Sequence, residues 1–134
     1  FYRPQAQAAG IELNLVPAGS PVVCRVDADH IKQALLNLLI NAQQAITHGG
    51  AIRMSVSADE SGAGRIEVAD SGPGIPAEQR QRIFEAYYST KKGGTGLGLA
   101  TARQIIREHK GTIGVESPPD GGAVFTIILP PEPR

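Results

Sequence analysis

The chain of 134 residues has a single cysteine, Cys24, so no disulfide can close within it. Cys24 lies in an apolar run and reads as a small buried hydrophobe. There is no excess charge of either sign. Thirteen Lys and Arg balance thirteen Asp and Glu, which leaves no broad positive field for a nucleic-acid duplex. No apolar stretch is long enough to span a bilayer, and no signal peptide opens the chain. Internal repeats and low-complexity tracts are also missing. What is present is an ordinary apolar content of 41% over a length that suits one domain with a real core. The expectation is a soluble, intracellular domain that contacts neither nucleic acid nor membrane, whatever the anchoring of its parent. The first residue is Phe1 rather than Met, which reads as a piece of a longer protein.

Hydrophobic periodicity then divides the chain. Residues 1–10 are polar and read as the tail of something upstream. Residues 11–16 (IELNLV) alternate as a strand, 17–21 turn, and 22–26 form a second strand. A long helix is expected over 29–47, capped by Asp27 or Asp29, with Ile31, Leu35, Leu38, Leu39, Ala42 and Ile46 on one apolar face. His48, Gly49 and Gly50 end it. Ile52, Met54 and Val56 alternate as a strand, residues 61–64 turn, and Ile66 and Val68 carry a further strand towards Asp70. Residues 76–84 (PAEQRQRIF) read as a short helix with Pro in its first turn. A long loop rich in Gly, Ser, Thr and Lys leads to a helix over 99–110. Two last strands, 112–116 and 123–129, flank a turn. The order of elements predicts an α+β fold, a two-layer sandwich.

Three features interrupt this regular pattern. Asn37 and Asn41 lie one helical turn apart and project side by side from the long helix. Alone they could be satisfied interior amides or exposed asparagines. Asp70-Ser71-Gly72-Pro73-Gly74-Ile75 follows a strand, a carboxylate with glycines that let backbone come close to a ligand, or a plain turn. Residues 89–99 (STKKGGTGLGL) run into a helix start whose free N–H groups suit phosphate. That stretch does not follow a strand in a βαβ unit, and it lacks the GK[ST] ending of a P-loop.

Their order is more specific than any one of them. NLLINA, DSGPGI, IFEAYYSTK and GTGLGLA resemble the N, G1, F and G2 boxes of the histidine-kinase ATP-binding domain. That domain shares its Bergerat-type fold with the gyrase, heat-shock-90 and mismatch-repair ATPases. The resemblance runs from about residue 11 to 130, and GTIGVES…GGAVFTIILP is similar to the family's closing hairpin. It implies a mixed, mostly antiparallel sheet packed on about three helices, with residues 1–10 as the end of a linker and 11–134 as the ATP-binding catalytic domain. The short STKKGGTGLGLA form resembles the nitrogen-regulation branch of sensor kinases.

The resemblance also supplies roles. Asn41 is implied as the Mg²⁺ ligand, a hard neutral oxygen donor. Asn37 lines the phosphate side. Related ATPases that hydrolyse with water carry a glutamate base there, and an amide cannot take a proton at neutral pH, so Asn37 favours transfer to a protein acceptor. Asp70 accepts from the adenine amino group, where guanine shows an acceptor oxygen instead. Gly72 and Gly74 let the chain approach the base. Residues 84–96 form a mobile lid, Lys91 reaches phosphate, and the backbone of 95–99 cradles it. Asn37 and Lys91 are thus the implied catalytic residues. The binding set is Asn37, Asn41, Gln44, Asp70, Gly72, Gly74, Ile75, Thr90, Lys91, Gly94, Thr95, Gly96, Leu97 and Gly98. Gln44 stands where many members carry a basic residue, and Tyr87 and Tyr88 replace the commoner phenylalanines.

The implied function is that of a protein-histidine kinase catalytic domain in a two-component phosphorelay. It uses ATP and Mg²⁺, lies in the cytoplasm, and transfers the γ-phosphate to a histidine on a dimerisation domain. A response regulator is the implied downstream partner. His30, His48 and His109 lie at helix ends, and none belongs to an acceptor-type motif, so the chain is expected to be inactive without its acceptor. The alternative is a stand-alone anti-sigma-factor-type serine kinase and binding protein of the same fold.

Overall fold

A computed structural model describes residues 11–16, 27–46, 50–80, 82–85, 98–118 and 121–131. Among the described residues five strands form one sheet: β1 (Ile11–Val16), β2 (Gly50–Ala58), β3 (Gly64–Asp70), β4 (Thr112–Glu116) and β5 (Ala123–Leu129), in the order β1-β2-β3-β5-β4. β2, β3, β5 and β4 are antiparallel, and β1 joins β2 in parallel. A parallel neighbour needs a crossover, and the connection from β1 to β2 contains helix α1 (Ala28–Ala45). The second helix, α2 (Gly98–Glu108), packs beside α1 on the same face of the sheet. This is the expected two-layer α+β sandwich. The expected strand over 22–26 with Cys24, the segment 1–10 and the loop 86–97 lie outside the described residues.

Alternation decides which side of the sheet is covered. Along β5, Ala123, Phe125, Ile127 and Leu129 are buried while Val124, Thr126 and Ile128 are half-exposed. The register carries that parity across the sheet: Phe125 opposes Val68 and Val115, and Val68 opposes Met54. Leu38 of α1, Ile106 of α2 and Ile52, Val68, Phe125 and Ile127 of the sheet are fully buried between the layers. Each such side chain contributes about 1.5–3 kcal/mol relative to exposure.

α1 starts on Asp27, whose carboxylate accepts from the His30 N–H at 3.1 Å. It ends at Ala45, short of the expected 47, because Ile46 is already extended and its side chain packs on the core. α2 ends in a Schellman motif: Gly111 N–H reaches the Ile106 carbonyl, and Lys110 N–H reaches that of Arg107, both at 2.9 Å. The left-handed residue is Lys110, φ 61°, rather than glycine. Glycine is taken by position 111, where a Cβ would press on the carbonyl oxygen of Ile128.

One expected element is different. Residues 76–84 do not form one helix but two 3-10 turns, Ala77–Gln79 and Arg82–Phe84. Only Ile83 and Phe84 offer apolar anchors, too few for an amphipathic face. Phe84 is drawn into the core instead, edge-on to Phe125 with ring centroids 6.1 Å apart.

Two outcomes test these end structures. Lys110→Gly removes the left-handed penalty and should raise stability by about 1 kcal/mol in urea titration. The Asp27 carboxyl is held below its usual range, first by the His30 N–H. A depressed folded-state pKa gives stability that is present above the unfolded value and lost as pH falls through the folded one. The stability gap between the wild type and Asp27→Asn should therefore narrow below about pH 4, measured by denaturation at pH 7 and pH 3.

Candidate functional site

β3 ends on Asp70, which opposes Ile52 on one side and Ala123 on the other. It has the same parity as Ile66 and Val68, so its carboxylate lies on the helix side of the sheet. At 9% exposure it is the buried charged residue among the described residues. Its Oδ1 accepts from the Gly72 N–H at 2.9 Å, which turns the chain sharply after the strand.

Three contacts shape the loop that follows. Ser71 continues the ladder past β3: its N–H donates to the Ala51 carbonyl at 3.1 Å, and its Oγ accepts from the Ala51 N–H at 3.0 Å. Ser117, just after β4, accepts from the Ile75 N–H at 2.7 Å and donates to the Ile75 carbonyl at 3.2 Å. Arg80 Nε donates to that same carbonyl, also at 3.2 Å. Gly74 has φ 85°, and a Cβ there would come within 2.9 Å of the Gly122 carbonyl and 3.1 Å of Ser117 Oγ. Gly122, φ 80°, lies so close that a Cβ would overlap the Asp70 carbonyl. Hence the end of the β4–β5 hairpin presses on the Asp70 loop and sets its path.

The helix pair carries the remaining described residues picked from sequence. Asn37 is half-buried on α1; its Oδ1 accepts from Gln33 Nε2 at 2.9 Å, and its Nδ2 donates to the Gly98 carbonyl at 3.1 Å. Asn37 therefore fastens the first residue of α2 to the middle of α1. Asn41, also half-buried, and Gln44, exposed, continue the same face at helical spacing. At the other end of the pair, the Asp27 N–H donates to His109 Nε2 at 2.9 Å, and His109 Nδ1 lies 2.8 Å from the Ile105 carbonyl. A backbone N–H can only donate, so Nε2 is bare and Nδ1 carries the proton.

Of the residues picked from sequence, Asp70, Gly72, Gly74 and Ile75 share one loop, and Asn37, Asn41, Gln44 and Gly98 share the helix pair. Thr90, Lys91, Gly94, Thr95, Gly96 and Leu97, and most of the expected lid, lie outside the described residues. Ser117, Ser71 and Gly122 carry structural roles that sequence reasoning did not assign. The paired glycines Gly121 and Gly122 were the available signal for one of them. Among the described residues no group of three His, Cys, Asp or Glu is placed to hold a metal ion. The lowered carboxyls, Asp27 at its cap and Asp59 beside the Ser61 hydroxyl, lie in a helix cap and a hairpin turn rather than in this loop.

Residues 26–133 match the family described as histidine kinase-, DNA gyrase B- and HSP90-like ATPase. The sensor histidine kinase ZraS of Klebsiella oxytoca is 47% identical over 125 residues, which cover 92% of this chain and 27% of that protein. The sensory histidine kinase/phosphatase NtrB of Rhodobacter capsulatus is 44% identical over 81% of this chain and 34% of its own length. The chain thus spans about a quarter to a third of these relatives. Among solved structures, the catalytic domain of histidine kinase ThkA superposes with a TM-score of 0.85 at 31% identity, covering 98% of this chain and 88% of that one. ThkA in complex with the response regulator protein TrrA superposes at 0.83 with 29% identity, over 97% of this chain and 37% of that one. The match over 26–133 and the near-complete overlap with ThkA agree with the fold and the order of the boxes. The chain belongs to the histidine kinase-, DNA gyrase B- and HSP90-like ATPase family and, within it, to the catalytic domains of sensor histidine kinases.

Proposed function

We propose that this chain binds ATP with Mg²⁺ and hands the γ-phosphate to a histidine on a dimerisation domain of its parent, which passes it to a response regulator. The observation that carries the reading is the Asp70 loop: a carboxylate buried at a strand end, on the helix side, with its backbone fixed by Ser117, Gly122 and Ala51. A carboxylate on a fixed backbone can accept from one exocyclic amino group and reject a carbonyl there. That is the distinction between adenine and guanine. Gly72, Gly74 and Ile75 form the backbone beside the base in this reading. Ser117 is a positioning residue, since it holds Ile75 by both backbone polar groups.

The phosphate side falls to α1 and the start of α2. We assign Asn41 as the protein ligand of Mg²⁺. The residues present fit that ion. They offer a neutral amide oxygen and, among the described residues, no carboxylate cluster, and Mg²⁺ characteristically keeps waters and phosphate oxygens around few protein ligands. The ion would supply charge neutralisation on the phosphates. Asn37 holds Gly98 so that the α2 N-terminus faces the phosphates, with Thr90, Lys91, Gly94, Thr95, Gly96 and Leu97 assigned to the lid and phosphate loop. Gln44 contributes a neutral hydrogen bond. Neither Asn37 nor Asn41 can act as a base, which favours a protein acceptor over water.

We assign residues 1–10 to the end of the linker from the dimerisation domain, 11–134 to the catalytic domain, and the domain to the cytoplasm, where ATP and response regulators are found. The anti-sigma-factor alternative finds no support among the relatives described above, which are sensor kinases.

Titration calorimetry with ATP, ADP and GTP in Mg²⁺ should show adenine selectivity. Asp70→Asn should weaken ATP by about 1.5–3 kcal/mol, the usual worth of a charge-assisted hydrogen bond. Equal affinity for GTP in the wild type rules out the assigned role of Asp70. Incubated alone with radiolabelled ATP, the chain should take up no base-stable, acid-labile label; mixed with the dimerisation domain of its parent, it should label that domain. Labelling of the isolated chain would show that the acceptor histidine has been placed wrongly.

A further inference from the structure

Away from the Asp70 carboxylate, a cavity of about 510 Å³ opens between α2, the 3-10 turns and β4. Arg80, Arg103 and Arg107 line it, with Phe84 and the backbone of 111–115. The ion pairs among the described residues join Arg65 to Glu67 and His30 to Asp27, so none of these three arginines is in one. Each is nonetheless placed. Arg80 is held by its Nε on the Ile75 carbonyl, and the Arg103 guanidinium sits 5.8 Å from the Phe84 ring centroid. Arg107 follows Arg103 by one helical turn and is exposed. Three guanidiniums around one cavity repel one another, and an anion among them offsets that cost. Their planar forks suit carboxylates.

The remaining wall is the edge of the sheet formed by the described residues. Among the described residues β4 is last in the strand order and pairs only with β5. Its sequence, TIGVE, contains no Lys and no Pro, and its one charge is the terminal Glu116. Exposed edges are ordinarily guarded by such residues, because unpaired backbone groups recruit another strand. Ile113 and Val115 point to the helix side of the sheet, the side of Phe84 and the arginines. A strand laid beside β4 would send every second side chain to that side.

We propose that β4 and this cavity dock an acidic, extended segment of a partner protein, which pairs its backbone with β4 and turns alternate carboxylates towards Arg80, Arg103 and Arg107. The edge supplies affinity through the main chain, and the arginines supply selection by charge. A neutral strand would leave the guanidiniums without counter-charge; a free anion would leave the edge unpaired. The inference does not rest on the nucleotide reading, and its test needs no nucleotide.

The probe is a fluorescein-labelled, end-blocked octapeptide alternating glutamate and valine, with a glutamine–valine peptide as its neutral control. Fluorescence anisotropy should show the acidic peptide binding and the neutral one binding at least roughly tenfold more weakly. Arg103→Gln with Arg107→Gln should cost a similar factor, and Arg103→Lys, which keeps the charge, should lose less. Unchanged melting midpoints establish that these variants are folded. Amide hydrogen exchange should slow on β4 when the acidic peptide is added. The proposal is overturned if both peptides bind alike, if neither binds, or if the folded double variant binds as tightly as the wild type. It is equally overturned if β4 exchange does not change while succinate or inorganic phosphate displaces the peptide, since the cavity would then be a site for free anions.

Discussion

The structure depends on two helices fastened to each other at two points. α1 and α2 run antiparallel, with the Asp27 N–H on His109 at one end and the Asn37 amide on the Gly98 carbonyl towards the other. Burial of Leu38, Ala42, Ala102 and Ile106 presses the pair together and onto the sheet, but hydrophobic contact has no direction and would allow the helices to slide. The two hydrogen bonds fix the register. With it they fix where the first turn of α2 stands relative to Asn37, Asn41 and Gln44. The Lys110–Gly111 cap then sends the chain straight into β4, so the helix pair also sets the position of the closing hairpin.

The Asp70 loop shows the complementary constraint. Its shape comes less from its own turn-forming sequence than from what is pressed against it. Ala51 extends the ladder to Ser71, Ser117 takes both polar groups of Ile75, and Gly122 approaches so closely that only glycine fits. A buried carboxylate is costly unless it is hydrogen-bonded, and the turn at Gly72 supplies one such bond. The loop is therefore built into the sheet rather than hung from it.

Much of this was legible in the sequence, and the difference between what was and what was not is one of range. β4 and β5 were found with their observed limits because alternation is a signal carried by adjacent residues. The α1 face and the Asp27 cap were legible for the same reason. The break of 76–84 into two turns was not, because it arises from Phe84 being drawn to Phe125, a residue far along the chain. Ser117 looked like an ordinary strand-end serine; its partner lies 42 positions away. The four boxes singled out Asp70, Asn37 and Asn41 as candidates, since their order is read without any knowledge of contacts. That Asn37 spends its amide joining two helices was visible only in three dimensions.

The same long range has a kinetic and thermodynamic consequence. The bonds that define the site span 42, 61 and 82 positions of sequence. Non-local topologies of this kind fold in milliseconds to seconds rather than microseconds, because loop-closure entropy is lost before the contacts return it. No short segment contains both the Asp70 loop and the helix pair, so a ligand that spanned them would recognise the complete domain and nothing less. At about one hundred times its dissociation constant, such a ligand shifts the unfolding equilibrium by about 2.7 kcal/mol. The melting temperature of the whole domain would thus gauge the binding of such a ligand.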